Sequence, residues 1–362
     1  MSYKYKVGIY IGRFQPVHLG HLKTIELMLS TCENIIISIG SANRPKTIEN
    51  PWTEEYRSKM ISDAIIEYTK ESKPVGWTDK PAPSILDRIK FQFVNDYMYN
   101  DNKWAAELYS TALLNGATQD KTTCLFGHFK DDSSYYLNMY PQWTLHTVSN
   151  FKNINATDIR NDFFGSKTLS EESKEKLTQS VINEIESFVS IETKLESNLF
   201  DEYNYRLGYK AAWKTAPFAP TFTTVDALVV KSGHILLVER GRNPGKGLYA
   251  LPGGFLNPGE YIKDGIIREL KEETKLKVSK EELEMLRDQN PITVFDHPKR
   301  SKRGRTITHV GLIDLGNGPL PEVKAADDAK KAMWVPLSMV HKMSHKMFED
   351  HFDIIVSLTS KF

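Results

Sequence analysis

Apolar positions in the first half of the chain follow two alternating rhythms. Val7 to Ile11 is a short apolar run closed by Gly12, and Ile35 to Ile39 is a second, closed by Gly40. Short, largely β-branched runs ended by glycine read as buried strands. Between them Leu22, Ile25, Met28 and Leu29 recur at three- and four-residue spacing, one face of a helix. Thr53 can cap a helix whose first turn carries Glu54 and Glu55 and whose inner face is Met60, Ile61, Ala64, Ile65 and Tyr68. Further strands are predicted at Phe91–Val94, Thr123–Phe126 and Thr144–Val148. Strands alternating with helices argue for an α/β domain built on a doubly wound parallel sheet.

Ser170 is predicted to begin a helix with apolar positions Leu177, Val181, Ile185 and Phe188. Past Pro217 and Pro220 the rhythm changes. Thr223–Val230 and His234–Glu239 predict two paired strands around a Ser-Gly turn, an acidic helix follows, and Thr306–Ile313 predicts another strand. This is an α+β pattern with one central helix. The shifts divide the chain into a domain over 1–190, a linker over 191–220 and a second domain over 221–362. The Pro-rich stretch from Ser72 to Ser84 has no pattern that assigns it a role.

At 362 residues the chain has room for two or three domains, and 40% hydrophobic with 26% charged residues is ordinary for a globular protein. Lys plus Arg number 47 against 46 Asp plus Glu, so no basic excess points to nucleic acid. Cys32 and Cys124 both lie in or beside apolar stretches and are expected to be reduced core residues. The first residues enter a strand pattern directly, and no apolar run approaches bilayer length, so a cytoplasmic protein without membrane contact is expected.

The acidic segment carries the strongest chemical signal. Glu269, Glu272 and Glu273 share one helix face, and crowded carboxylates repel unless a cation sits among them. Such an all-oxygen set suits Mg²⁺ or Mn²⁺, which can clamp a diphosphate and activate water. The residues from Gly254 to Leu276, GFLNPGEYIKDGIIRELKEETKL, resemble the Nudix box, with Gly254, Glu260, Arg268, Glu269, Leu270, Glu272, Glu273 and Leu276 on its pattern. Lys275 departs, standing where the family has the glycine that closes the helix. The resemblance implies metal-dependent hydrolysis of a nucleoside diphosphate linked to another group. Glu269, Glu272 and Glu273 would be the metal ligands, with Glu273 also a candidate for the catalytic step. Arg268 would orient a glutamate. Glu260 would be a further ligand or a partner for Arg268. The base could be a box glutamate or a later acid such as Asp327 or Asp328.

Pro291, fifteen positions after Leu276, resembles the ADP-ribose pyrophosphatase subgroup. The loop carrying Lys299, Arg300, Lys302, Arg303 and Arg305 could meet phosphates or be a solvated charged turn.

The N-terminal half carries a second signal. GRFQPVHLGH, from Gly12 to His21, follows the first strand and opens the first helix. A helix N-terminus favours anions, Gly12 permits close backbone approach, and two imidazoles there can donate to phosphate oxygens. The run resembles the Gly-x-Phe-x-Pro-x-His-x-Gly-His motif of the adenylyltransferase superfamily. Ile39 to Thr53 (IGSANRPKTIENPWT), Arg57, and Ile154 to Arg160 (INATDIR) make it similar to the archaeal-type nicotinamide mononucleotide adenylyltransferases, with Asn155 replacing the usual serine.

That resemblance implies a Rossmann-like nucleotidyltransferase domain that makes NAD and pyrophosphate from ATP and nicotinamide mononucleotide, assisted by Mg²⁺ or Mn²⁺. It implies that Arg13, His18, His21, Arg57 and Arg160 hold the triphosphate, with Gly12 and Phe14 beside it and Thr157 capping the helix that carries Arg160. It also implies that Trp104 stacks on the pyridinium ring and that Asn100 binds the amide or ribose; Gly127 and His128 follow a predicted strand and are candidates to line the nucleotide cleft at its carboxyl end. Related adenylyltransferases assemble, which implies a homo-oligomer. Together the halves resemble bifunctional adenylyltransferase–Nudix proteins, the second half removing ADP-ribose. Two other readings remain: a Nudix half that senses ADP-ribose without cutting it, and a first half that adenylylates phosphopantetheine.

Overall fold

The computed structural model describes residues 3–72, 85–129, 132–195 and 198–360, so residues 73–84 of the Pro-rich stretch lie outside the described residues. The chain divides into two compact units, Met1–Phe200 and Asp201–Phe362.

In the first unit five strands, β1 (Tyr5–Gly12), β2 (Cys32–Ala42), β3 (Ile89–Asn95), β4 (Thr123–Gly127) and β5 (Thr144–Thr147), form one sheet in the order β3-β2-β1-β4-β5. Every pairing is parallel. The order reverses between β1 and β4, and in such sheets a crevice opens outside the carboxyl ends of the strands at that point. Helix α1 (Leu19–Thr31) buries Leu22, Ile25, Met28 and Leu29. Helix α2 (Glu54–Ser72) buries the five apolar residues its periodicity selects, and Thr53 Oγ1 accepts from Tyr56 N at 3.3 Å as a cap. Helix α3 (Asp101–Leu114) closes the core with Leu108 and Ala112 against Val7, Ile9, Ile36, Val94 and Leu125. Cys32 and Cys124 are buried free thiols.

The helix predicted from Ser170 is not continuous. Helix α4 (Ala156–Ser166) is followed by the short α5 (Glu171–Lys174) and then α6 (Gln179–Glu192). Ser170 caps α5, accepting from Ser173 N, while the chain extends again at Thr178. The break is stabilised from outside: the Glu67 carboxylate of α2 accepts the N–H groups of Gln179 and Ser180 at 2.8 and 2.7 Å, satisfying donors that a helix start leaves unpaired. The stretch expected as linker contains helix α7 (Leu199–Ala212).

The second unit has a mixed sheet. Strands β6 (Thr221–Lys231), β7 (His234–Arg240), β10 (Thr293–Phe295), β11 (Arg305–Asp314) and β12 (Ala329–Pro336) run in the order β10-β11-β6-β7-β12, with β8 (Tyr249–Ala250) on β7 and β9 (Gly253–Phe255) on β6. The β11–β6 pair is parallel and its neighbours are antiparallel. Helix α8 (Ile262–Thr274) lays Ile266, Ile267 and Leu270 on Val225, Ala227, Val229 and Ile313, and Leu283 of α9 (Lys280–Arg287) joins them. Helices α10 (Leu337–Val340) and α11 (His351–Thr359) follow β12. Among the described residues no helix is long and apolar enough to cross a membrane.

Candidate active sites

In the first unit β1 ends at Gly12 and the chain turns into α1. A side chain at Gly12 would place its Cβ 2.9 Å from the Phe14 ring. Phe14 itself, expected beside substrate, is 1% exposed and packs edge-on to Tyr10 at 5.5 Å and against His21 at 4.8 Å. Its apolar ring gains more from this packing than from a polar cleft.

His18 occupies the N-cap of α1, and its backbone N–H donates to His21 Nδ1 at 3.2 Å. The two rings stack at 3.7 Å. Because Nδ1 of His21 accepts, the proton of the neutral ring sits on Nε2. Burial, and then the neighbouring His18, hold His21 well below its usual pKa. At neutral pH His21 is therefore an uncharged donor through Nε2–H.

The arginines divide. Arg57, 1% exposed, donates to the carbonyls of Arg13 and Gly40 at 2.7 Å and of Thr53 and Ser41 at 3.3 Å. Four of its N–H groups thus tie together the ends of β1, β2 and α2, so it is placed as a clamp on the cleft wall rather than as a ready phosphate ligand. Arg160 donates to Gln15 O and, at 3.2 Å, to Thr157 Oγ1. Arg13 is exposed. Burial lowers Arg57 and Arg160 to about 10, with the charge of Arg13 repelling both. Three guanidinium groups share a field that an anion would relieve.

Gln15, which the motif carries but which signalled no role, is buried and exchanges hydrogen bonds with Trp52 O at 2.9 Å and Trp52 N at 3.2 Å. Thr157 is not the helix cap. Asn155, extended at φ −130°, ψ 121°, takes that place and accepts from Thr157 N at 2.9 Å, leaving the threonine hydroxyl to Arg160. Asparagine is among the best N-caps, which explains its presence where the family has serine.

Trp104 lies half-buried on α3, edge-on to Tyr136 at 5.6 Å. Asn100 caps that helix through Lys103 N at 2.9 Å, so its Oδ1 is already engaged. Gly127 is buried at the end of β4, where a Cβ would lie 2.3 Å from Leu137. The glycine therefore serves packing first. His128, next along, is half-buried with Nδ1 3.2 Å from Val148 O.

In the second unit Arg268 organises the acidic helix. It grips Glu260 with two bonds, at 2.7 and 2.9 Å, and reaches Glu269 at 2.7 Å and Glu272 at 2.9 Å. Glu260 is thus the partner of Arg268. Glu273 accepts from Gly253 N at 3.0 Å. A Cβ at Gly254 would lie 2.6 Å from the Glu269 carboxylate, so only glycine admits that group there. Lys275 adopts the left-handed conformation (φ 45°, ψ 33°) and its N–H bonds Lys271 O, so the helix closes although glycine is missing.

Burial raises Glu273 to about 8, with Glu269 and Asp226 adding repulsion, and raises Glu269, helped by Glu272 and Asp327. Two buried carboxylates that resist ionising together, in an all-oxygen neighbourhood, fit a hard divalent cation. Among the described residues no three such side chains already converge as a cage, since Arg268 holds two of them.

The basic loop is mostly spent internally. Arg300 forms a buried two-bond pair with Asp350 at 2.9 Å, and Arg305 bonds Asp296 O. Arg303 lies over the Phe255 ring at 5.0 Å and 3.9 Å from Glu349. Buried charges need partners, and for Arg300 and Arg303 these come from elsewhere in the unit. Lys299 and Lys302 are exposed, as is Pro291. Asp327 is exposed, and Asp328 pairs with Arg242 at 2.9 Å.

A parallel sheet with a cationic crevice, joined on one chain to a mixed sheet with an arginine-braced glutamate helix, defines a two-domain enzyme of nucleotide-phosphate chemistry. The family profile described as "Cytidylyltransferase-like" matches residues 9–161, and that described as "NUDIX domain" matches 220–357. A nicotinamide/nicotinic acid mononucleotide adenylyltransferase from Acinetobacter baylyi is 34% identical over 46% of this chain and 80% of its own. An ADP-ribose pyrophosphatase from Methanocaldococcus jannaschii is 38% identical over 36% of this chain and 69% of its own. A bifunctional NMN adenylyltransferase/ADP ribose pyrophosphatase from Francisella tularensis, solved in complex with AMP and a manganese ion, matches with a TM-score of 0.84 and 37% identity over 99% of each chain. The chain belongs to the family of bifunctional NMN adenylyltransferase/ADP-ribose pyrophosphatases.

Proposed function

We propose that the chain carries out two reactions of NAD metabolism. In the first unit a phosphate oxygen of nicotinamide mononucleotide attacks the α-phosphorus of ATP, forming the new P–O bond of NAD as the bond to pyrophosphate breaks. In the second, water cleaves ADP-ribose to AMP and ribose 5-phosphate. The observation that carries this reading is the coexistence of two constellations on one chain: the Arg13–Arg57–Arg160 cluster beside neutral His21, and a complete set of box glutamates braced by Arg268.

The attacking phosphate is already ionised, so the first site needs positioning and charge neutralisation more than a base. Arg13 and Arg160 meet the triphosphate, with His18 and His21 donating from the ring edges, while Arg57 holds the surrounding loops. The half-buried Trp104 would receive the pyridinium ring as a cation–π partner. Mg²⁺ or Mn²⁺ bound with the triphosphate would supply further neutralisation. In the second unit Glu269, Glu272 and Glu273 would hold Mg²⁺ or Mn²⁺, which supplies Lewis acidity to the diphosphate and to water. Arg268 keeps Glu269 and Glu272 oriented, and the proton of the attacking water would pass to a box glutamate or to a later acid such as Asp327 or Asp328. We place both activities in the cytoplasm, in a homo-oligomer.

The test uses the purified full chain with Mg²⁺. ATP plus nicotinamide mononucleotide is expected to give NAD and pyrophosphate, and ADP-ribose to give AMP and ribose 5-phosphate. ADP-ribose bound without turnover would make the second unit a sensor. Adenylylation of phosphopantetheine in preference to nicotinamide mononucleotide would reassign the first.

A further inference from the structure

Glu107 lies on α3, three residues after Trp104 and so on the same helix face. Its Oε1 accepts from both Asn95 N and Asn95 Nδ2 at 3.0 Å, and its Oε2 accepts from the Tyr97 hydroxyl. One half-buried carboxylate therefore binds the last residue of β3 and the first turn of the segment that leads to α3. From the other side Arg44 donates to Asp96 O at 2.9 Å, and Asn43 Nδ2 donates to Asn95 Oδ1 at 3.1 Å. The segment then closes on itself. Asn100 N bonds Tyr97 O at 3.1 Å, Asn100 caps α3, Trp104 N bonds Asn100 O at 3.2 Å, and Lys103 lies over the Tyr97 ring at 4.6 Å.

The result is a closed loop of contacts, from Glu107 to Tyr97, along the chain to Asn100, and up the helix through Trp104 back to Glu107. The start of α3, where Trp104 sits, is thus tied to the end of β3 through the bonds that the Glu107 carboxylate holds. The geometry points to Glu107 as a positioning residue that fixes Trp104 for the nicotinamide-bearing substrate. It acts through Trp104 and Tyr97 without touching substrate, and it rests on the reading of Trp104 given above. A charged acceptor with three donors is suited to this because charge-assisted bonds hold geometry more firmly than neutral ones.

The experiment measures both Michaelis constants of the adenylyl transfer in the full chain for Glu107→Ala, Glu107→Gln, Tyr97→Phe and Trp104→Ala. Glu107→Ala is expected to raise KM for nicotinamide mononucleotide about tenfold while KM for ATP stays within a factor of about two, a change of specific binding rather than of fold. Glu107→Gln, which keeps one acceptor oxygen, should recover part of the loss. Tyr97→Phe, which removes one hydroxyl and leaves the carboxylate, should shift the same constant in the same direction and keeps the test open if Glu107→Ala does not fold. Adding Glu107→Ala to Trp104→Ala should change little more, since both act on one ring.

If Trp104→Ala raises the constant and the Glu107 and Tyr97 variants do not, the positioning role is overturned while the Trp104 reading stands. If Trp104→Ala leaves it unchanged, the Trp104 reading falls and takes this inference with it. Equal rises for both substrates would make Glu107 a purely structural residue and also overturn it.

Discussion

At the level of single residues, the arginines of the first unit differ in what their N–H groups already hold. Arg57 has spent four on backbone carbonyls, whereas Arg13 stands exposed beside it. Arg13→Ala is therefore expected to cut kcat/KM for adenylyl transfer by about 2.7–4 kcal/mol of transition-state stabilisation with the melting temperature nearly unchanged. Arg57→Ala strands buried carbonyls and should cost about 3 kcal/mol of stability first, seen in urea unfolding before any kinetic reading. Glu273 supports a pH experiment. Burial pushes its carboxyl up to about 8 in the folded protein against a usual 4.5. Between these values the folded state keeps a proton that the unfolded chain has lost, so the stability contributed by the neutral carboxyl is present below about 4.5 and lost as pH rises through 8. A metal held by Glu273 would have to displace that proton. Mn²⁺ affinity should therefore tighten from pH 6 to 8, by up to about tenfold per unit, with one proton released. Calorimetry in buffers of different ionisation enthalpy reads both, and an affinity flat across that range would remove Glu273 from the metal site.

At the level of elements, what the sequence made legible is what local periodicity encodes. The five strands of the first sheet and the inner face of α2 stand where apolar spacing put them. The break before α6 was not legible, because its cause is Glu67, more than a hundred residues earlier on another helix. The same holds for Arg300: a basic loop reads as solvated or phosphate-binding until Asp350 appears beneath it. Strand β12 and helix α3 lacked a clear period and were found only in the fold. In the candidate sites, residue types with fixed offsets were readable, but the division of labour within them was not. Whether a buried arginine faces a carbonyl or a ligand depends on tertiary contacts, as Arg57 shows. Helix α8 offers an element-scale test. Lys275 sits left-handed at φ 45°, a conformation that costs a side chain about 1–2 kcal/mol relative to glycine. Lys275→Gly should thus stabilise the second unit by about 1 kcal/mol, less than the full strain because glycine also loosens the unfolded chain. A higher transition temperature of that unit in scanning calorimetry would show it, and a fall would mean that the lysine side chain holds something the glycine gives up.

At the level of the whole molecule, the two constellations are built from residues of different units: Arg13, His21, Arg57 and Arg160 within Met1–Phe200, and Glu260, Arg268, Glu269 and Glu273 within Asp201–Phe362. The hydrogen bonds described above for each of them lie within its own unit. Each site also has its own core beneath it, β1 and β4 for the first and β6 with α8 for the second. Substitutions at sites with no shared partners act independently, within a few tenths of a kcal/mol. The expected outcome is a clean double dissociation. His21→Ala should remove the Nε2–H donor and lower adenylyl transfer by about a hundredfold or more, leaving ADP-ribose hydrolysis within a factor of about two. Glu273→Gln should do the reverse, since on the proposed reading the metal would lose a charged ligand while the cationic crevice keeps all of its groups. The double variant should lose both activities in proportion to the singles. A loss of hydrolysis in His21→Ala, measured with protein of unchanged melting temperature, would overturn that independence, because His21 supplies nothing to the glutamate constellation.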